Sequence, residues 1–135
     1  MLWRVQYKKA MGLVRGTATE PDRDTAIERA LKLYDNGYAV VSVGTVFPDT
    51  PTWEPGRVEA WRVRGMATRQ ALRGRRFGQA VLSALIEHAR ANGGRFLWCE
   101  ARIGAISFYQ RAGFATEGEP FVMEDVEHIH MWRDL

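Results

Sequence analysis

The sequence predicts a mixed α/β or α+β fold with a central sheet, and three observations carry that expectation. From residue 38 the chain reads strand, strand, helix, strand, helix, strand, strand, an alternation that builds layered α/β folds. Val81, Leu82, Leu85, Ile86 and Ala89 recur at helical spacing, whereas Val40, Val41, Val43 and Val46 form a β-branched run. Asn36-Gly37, Pro48 to Pro55, Asn92-Gly93-Gly94 and Gly113 punctuate the segments.

Leu2 to Lys8 alternates Trp3, Val5 and Tyr7 with Arg4, Gln6 and Lys8, the pattern of a half-buried strand. Gly12 breaks it, and Leu13 to Thr19 is expected to return as a short second strand. Thr25-Ala26-Ile27-Glu28 has capping-box spacing, and Ile27, Ala30, Leu31 and Tyr34 follow on one face, predicting a helix over about 25–36. Tyr38 to Phe47 and Arg57 to Thr68 are the next strands, with a bulge at Arg64-Gly65 where the apolar spacing slips. A helix over about 78–91 precedes a short strand, Phe96 to Cys99. Ala105, Phe108, Tyr109 and Ala112 mark a second helix stopped by Gly113, and Phe114 to Gly118 and Ile129 to Trp132 close the sheet.

The 135 residues fit one domain, 1–135, that buries roughly two-thirds of the surface of its unfolded chain. A 46% hydrophobic fraction beside 26% charge excludes a disordered chain, and no apolar run reaches the length of a membrane span. The charged, alternating start lacks the apolar centre of a signal peptide, and one cysteine, Cys99, cannot close an internal disulfide. The expected location is cytoplasmic, with no membrane partner. An exposed strand edge or the Trp3 face offers a surface for a homodimer.

Net charge is only +3, but its distribution is uneven: Arg57, Arg62, Arg64, Arg69, Arg73, Arg75 and Arg76 are opposed only by Glu59. Such a segment suits a phosphorylated ligand, either a nucleotide-like cofactor or a nucleic-acid backbone, a solvated basic face being the plain alternative. Within it, Met66 to Leu82 runs from a strand through a glycine-containing basic turn into an amphipathic helix. The first helical turn presents orphan amides and partial positive charge, so this arrangement is a ready anion site.

Arg73-Gly74-Arg75-Arg76-Phe77-Gly78 resembles the pyrophosphate-binding signature of the GNAT N-acetyltransferase superfamily, Arg/Gln-x-x-Gly-x-Gly/Ala. The resemblance covers about residues 40–135 and leaves 1–39 as an atypical or abbreviated front part. It implies a mostly antiparallel sheet with two strands splayed to admit acetyl-coenzyme A as co-substrate. Residues Arg73, Gly74, Arg75, Arg76, Phe77, Gly78 and Gln79 would then hold the pyrophosphate, and the backbone of Met66, Ala67 and Thr68 the pantetheine arm. Arg76 departs from the signature, which has glycine there; its Cβ would crowd the phosphate or its guanidinium would add a contact.

Leu97 to Arg102 and Ala105 to Phe114 look like the family's second coenzyme-binding block, which implies coenzyme contacts from Glu100, Ala105, Phe108 and Tyr109. Glu100 stands where family members often have asparagine. By resemblance Tyr109 protonates the departing thiolate; packing is the other role open to such a tyrosine. Direct transfer is expected, with Cys99 a buried bystander. Attack needs a neutral amine and hence a base, for which Glu59, Glu100, Glu124, His128 and His130 are candidates, with Glu59 and His128 put forward beside Tyr109 as catalytic. His128 and His130 share a strand face by alternation, but no further ligand cluster suggests a metal.

Three functions follow: acetyl transfer to an amine acceptor, an acyl-coenzyme A sensor of weak activity, or a small basic nucleic-acid-binding protein. The last is disfavoured because the arginines gather at one strand–helix turn and no recognition helix is evident.

Overall fold

A computed structural model describes residues 2–9, 15–20, 38–68, 70, 73–74 and 76–135, with side chains from residue 42 onward. The predicted helix over about 25–36 lies outside the described residues. The strands are β1 (Leu2–Lys9), β2 (Arg15–Glu20), β3 (Tyr38–Pro48), β4 (Ala60–Thr68), β5 (Phe96–Arg102), β6 (Ala115–Met123) and β7 (Val126–Asp134). The helices are α1 (Phe77–Ala91) and α2 (Ile106–Arg111), the latter entered through a 3-10 turn at Ile103–Ala105. The chain divides into two compact units, one comprising Met1–Val46 and Gly65–Leu85, the other Phe47–Arg64 and Ile86–Leu135.

In the first unit β1 is the middle strand, antiparallel to β2 (Trp3↔Glu20 to Lys8↔Arg15) and to β3 (Leu2↔Val46 to Lys9↔Tyr38). Ser42 Oγ, on β3, donates to the carbonyl of Ala67 at 3.1 Å and meets Thr68 Oγ1 at 2.9 Å, fixing the end of β4. Gly65 sits at φ 67° in mid-strand, a left-handed conformation that glycine adopts freely, and it marks the irregularity expected at Arg64-Gly65.

In the second unit β4 runs parallel to β5 (Ala60↔Phe96 to Val63↔Cys99), and β5 and β6 both pair antiparallel with β7. Alternation gives β5 two different faces. Leu97, Cys99 and Ala101 point one way and are buried together with Ile86, Ala89, Tyr109 and Phe114. Phe96 and Trp98 point the other way into an aromatic cluster with Ala60, Trp53 and Trp132.

All five apolar residues predicted for α1 are buried. Both helices end as glycine-terminated Schellman caps: Gly94 N donates to Ala89 O and Phe114 N to Tyr109 O, with Gly93 and Gly113 both at φ 88°. Three boundaries need correction. β4 starts at Ala60 rather than Arg57, because Arg57 N closes a turn onto Glu54 O and Glu59 lies at φ 56°. β5 continues through Arg102, and the last two strands form a longer hairpin turning at Glu124 (φ 53°) and Asp125 (φ 61°).

Candidate active site

The glycine-containing turn predicted to bind phosphate does lead from β4 into α1. Arg73 N donates to Gln70 O at 3.3 Å and Arg73 Nε reaches Thr68 O at 3.4 Å, folding the turn back on the strand end. Gly74 takes φ 79° and Arg76 φ 65°, and the carbonyl of Arg76 accepts the amide of Ala80 at 3.1 Å, starting the helix. Arg76 therefore holds a left-handed backbone that glycine adopts freely, and its side chain lies exposed. A non-glycine residue pays about 1–2 kcal/mol for that conformation. No acidic side chain stands in the first turn of α1, so no carboxylate of its own competes for its amides. Gly78 and Gln79 occupy that turn, and Phe77 is buried. Arg69 and Arg75 lie outside the described residues.

Tyr109, on α2, is 6% exposed, with ring edges against Phe108 and Phe114 at centroid distances of 5.0 and 5.4 Å. Burial raises its pKa, and the neighbouring Cys99 adds to the rise, so the phenol keeps its proton at neutral pH. Cys99 is itself buried, and burial pushes its thiol up to about 12 despite the opposing charge of Arg62. A thiol in that state is protonated at pH 7 and is no nucleophile. Ala105 caps α2, and Phe108 packs beside Tyr109.

The opposite face of β5 carries a group the sequence does not announce. Arg62 forms an ion pair with Glu100, reaches Asp49 Oδ2 at 3.3 Å, and lays its guanidinium 4.6 Å above the Trp98 ring. Trp98 Nε1 donates to Asp49 O at 2.9 Å, which anchors the loop carrying Trp53. Trp53 in turn lies 5.4 Å from Trp98 and 4.6 Å from His130. Phe121 covers His130 from the β6 side at 4.5 Å, and cross-strand register places Glu100, His130 and Glu117 in one row. Burial lowers the pKa of His130; Arg62 lowers it further and Glu117 opposes. The alternation of β5 and β7 was a signal for this face, but the arrival of Trp53 from a proline-rich loop had none.

The other proposed base positions lie apart from that row or are already engaged. Glu59 precedes β4 instead of lying on it, is exposed, and faces Arg95 at 4.0 Å. His128 is 6% exposed, its Nδ1 2.7 Å from the Val126 carbonyl, and it stacks on Phe121 at 6.0 Å. Glu124 is exposed at the hairpin turn. Of the seven arginines read as one cationic segment, Arg57 is tied to Glu54 and Phe96 and Arg62 to Glu100 and Asp49, so the segment is less basic than its sequence. Among the described residues no helix is long and apolar enough to cross a membrane.

Residues 7–114 match the family model described as the acetyltransferase (GNAT) family, reaching further towards the N-terminus than the motifs do. An uncharacterized N-acetyltransferase of Bacillus subtilis (strain 168) is 36% identical over 81 residues, covering 56% of this chain and 52% of the relative. The chain thus spans about half the length of that curated relative. A ribosomal-protein-alanine N-acetyltransferase structure from Brucella melitensis aligns with a TM-score of 0.61 at 19% identity, over 84% of this chain and 79% of that one. An aminoglycoside 6'-N-acetyltransferase solved with coenzyme A aligns at 0.58 and 12% identity, over 71% and 67%. At those identities the likeness is one of fold.

Proposed function

The chain belongs to the GNAT acetyltransferase family, and from that premise we propose that it moves an acetyl group from acetyl-coenzyme A directly to an amine. One observation carries the reading: Arg76, where the signature has glycine, takes a left-handed backbone (φ 65°) of the kind glycine adopts freely. A strained residue persists where its surroundings over-determine it, and such strain supports reading this turn as a functional one. The alternative of a weak acyl-coenzyme A sensor rests on Arg76, on Glu100 where family members often have asparagine, and on the abbreviated front part.

In this proposal Arg73 to Gln79 hold the pyrophosphate through backbone amides and guanidinium groups, and Met66 to Thr68 pair with the pantetheine arm. Ala105 and Phe108 shape the coenzyme site, and Glu100 contributes through its backbone, since Arg62 engages its carboxylate. Tyr109 donates its hydroxyl proton to the sulfur as the carbon–sulfur bond breaks. The raised pKa keeps the phenol protonated until the thiolate forms, and it also makes Tyr109 a weaker acid than a solvated tyrosine. Direct attack is favoured over an acyl-enzyme because the Cys99 thiol is held protonated.

The two solved relatives are named for unlike acceptors, an aminoglycoside and a ribosomal-protein alanine, so an acceptor panel should include an aminoglycoside, free-N-terminus peptides and simple primary amines. The test is acetyl-coenzyme A-dependent thiol release with that panel, in wild type and Tyr109→Phe. Turnover should fall by about 10²-fold or more in the variant at nearly constant coenzyme affinity. Unchanged turnover removes Tyr109 from the chemistry, and no release with any acceptor refutes acetyl transfer.

A further inference from the structure

We infer that His130 is the proton acceptor for the attacking amine, an inference that rests on acetyl transfer being the reaction. The structure separates the five side chains that chemistry allows. Glu59 and Glu124 are exposed on turns, and Arg62 holds the carboxylate of Glu100. His128 is set apart by its burial, at 6% exposed, its Nδ1 donating to the Val126 carbonyl and its Nε2 left as the acceptor. His130 is half-buried between two tilted aromatic neighbours, Trp53 at 4.6 Å and Phe121 at 4.5 Å, and among the described residues no ion pair holds it.

Its place along the sheet adds a second, independent argument. The β4–β5 register ends at Val63↔Cys99. The next residue, Glu100, points to the opposite face of β5 from Cys99 and pairs in register with His130. Tyr109 lies on the Cys99 side, near enough to feel that thiol. Acid and base thus flank the same point of β5 from its two faces. Addition of the amine and loss of sulfur are separate steps at one carbon, so the group that takes the amine proton and the group that protonates sulfur can act from different faces.

The balance is straightforward. The amine nitrogen bonds to the acetyl carbon, the carbon–sulfur bond breaks, and its electron pair stays on sulfur. The amine proton passes to the imidazole lone pair of His130, directly or through one water. Sulfur takes the Tyr109 proton, and both side chains return to their resting state by exchange with solvent. The charged and titratable groups facing His130 are Arg62 on β4 with its partner Asp49, Glu100 on β5, Glu117 on β6, and His128 on its own strand. Burial and Arg62 keep the imidazole neutral into mildly acidic solution.

The test uses the full chain, with phenethylamine and hydroxylamine added to the acceptor panel, reading thiol release from acetyl-coenzyme A against pH. His130→Gln should lower kcat/KM by about 10²-fold or more and abolish the acid limb of the profile, with acetyl-coenzyme A affinity by calorimetry within about threefold of wild type. Glu117→Gln removes a carboxylate that favours the imidazolium, so the acid limb should move to lower pH, an arm that stands even where His130→Gln misfolds. A His130→Gln protein within about threefold of wild-type kcat/KM, or an acid limb unmoved in Glu117→Gln, overturns the assignment while acetyl transfer stands. Wild type that binds acetyl-coenzyme A but transfers to no acceptor overturns acetyl transfer and this assignment together.

Discussion

Replacing Arg76 by glycine separates the two roles that residue plays. In the folded chain Arg76 sits at φ 65°, where an L-residue brings its Cβ against the following carbonyl, at about 1–2 kcal/mol. Glycine removes that strain but loses about 0.5–1 kcal/mol more conformational entropy on folding. The net expectation is a gain of about 0.5–1 kcal/mol, which for a chain of this size raises the melting temperature by about 2–4 °C. Because glycine adopts φ 65° freely, the substitution should leave the loop unchanged and cost the coenzyme only a guanidinium contact. Affinity for acetyl-coenzyme A should then fall about three- to tenfold. Differential scanning calorimetry without ligand and titration with it read the two effects separately. A lower melting temperature refutes the strain, and tighter binding in Arg76→Gly refutes the guanidinium contact and shows that the arginine side chain crowds the ligand.

Other parts of the fold are open to similar tests. Gly94→Ala would place a Cβ 2.7 Å from Ala89 O and 2.8 Å from Trp61 Cδ1, so it should destabilise by about 1–3 kcal/mol in urea unfolding; an unchanged midpoint would mean the α1 cap relaxes freely. Glu100→Gln keeps the shape of the Arg62 partner but not its charge, and should cost about 1–2 kcal/mol, read by the same method. The folded-state pKa of His130 is below its ordinary 6.5, so the unfolded chain binds more protons and stability rises with pH. Its contribution is complete above about pH 6.5 and is lost as pH falls towards the depressed value. His130→Asn should flatten that slope, and a wild-type slope in the variant would assign the effect to other groups.

The elements governed by local periodicity were legible in the sequence. The helical stripe of α1 and its Asn92-Gly93-Gly94 stop appear with their predicted burial, since one buried face and one left-handed glycine suffice to specify them. β5 extends three residues beyond its apolar run because Glu100 is neutralised by Arg62, a partner 38 positions away that only the parallel register brings near. The β6–β7 turn uses Glu124 and Asp125 at positive φ, without the glycine that would have announced it. The basic turn before α1 was recognisable by composition, yet the backbone of Arg76 was not, because the side chain there contradicts the conformation it adopts. His130 stood among five candidates until the rings of Trp53 and Phe121 were placed around it.

The central claim is that the turn from Arg73 to Gln79 holds acetyl-coenzyme A, and isothermal titration of the purified chain, with Arg73→Ala beside it, tests that claim most directly. The account predicts micromolar binding that weakens about tenfold or more in the variant, with wild type stabilised by about 2.7 kcal/mol at a hundredfold excess of ligand over Kd. No heat and no thermal stabilisation at millimolar acetyl-coenzyme A would contradict it and leave the family fold without its ligand.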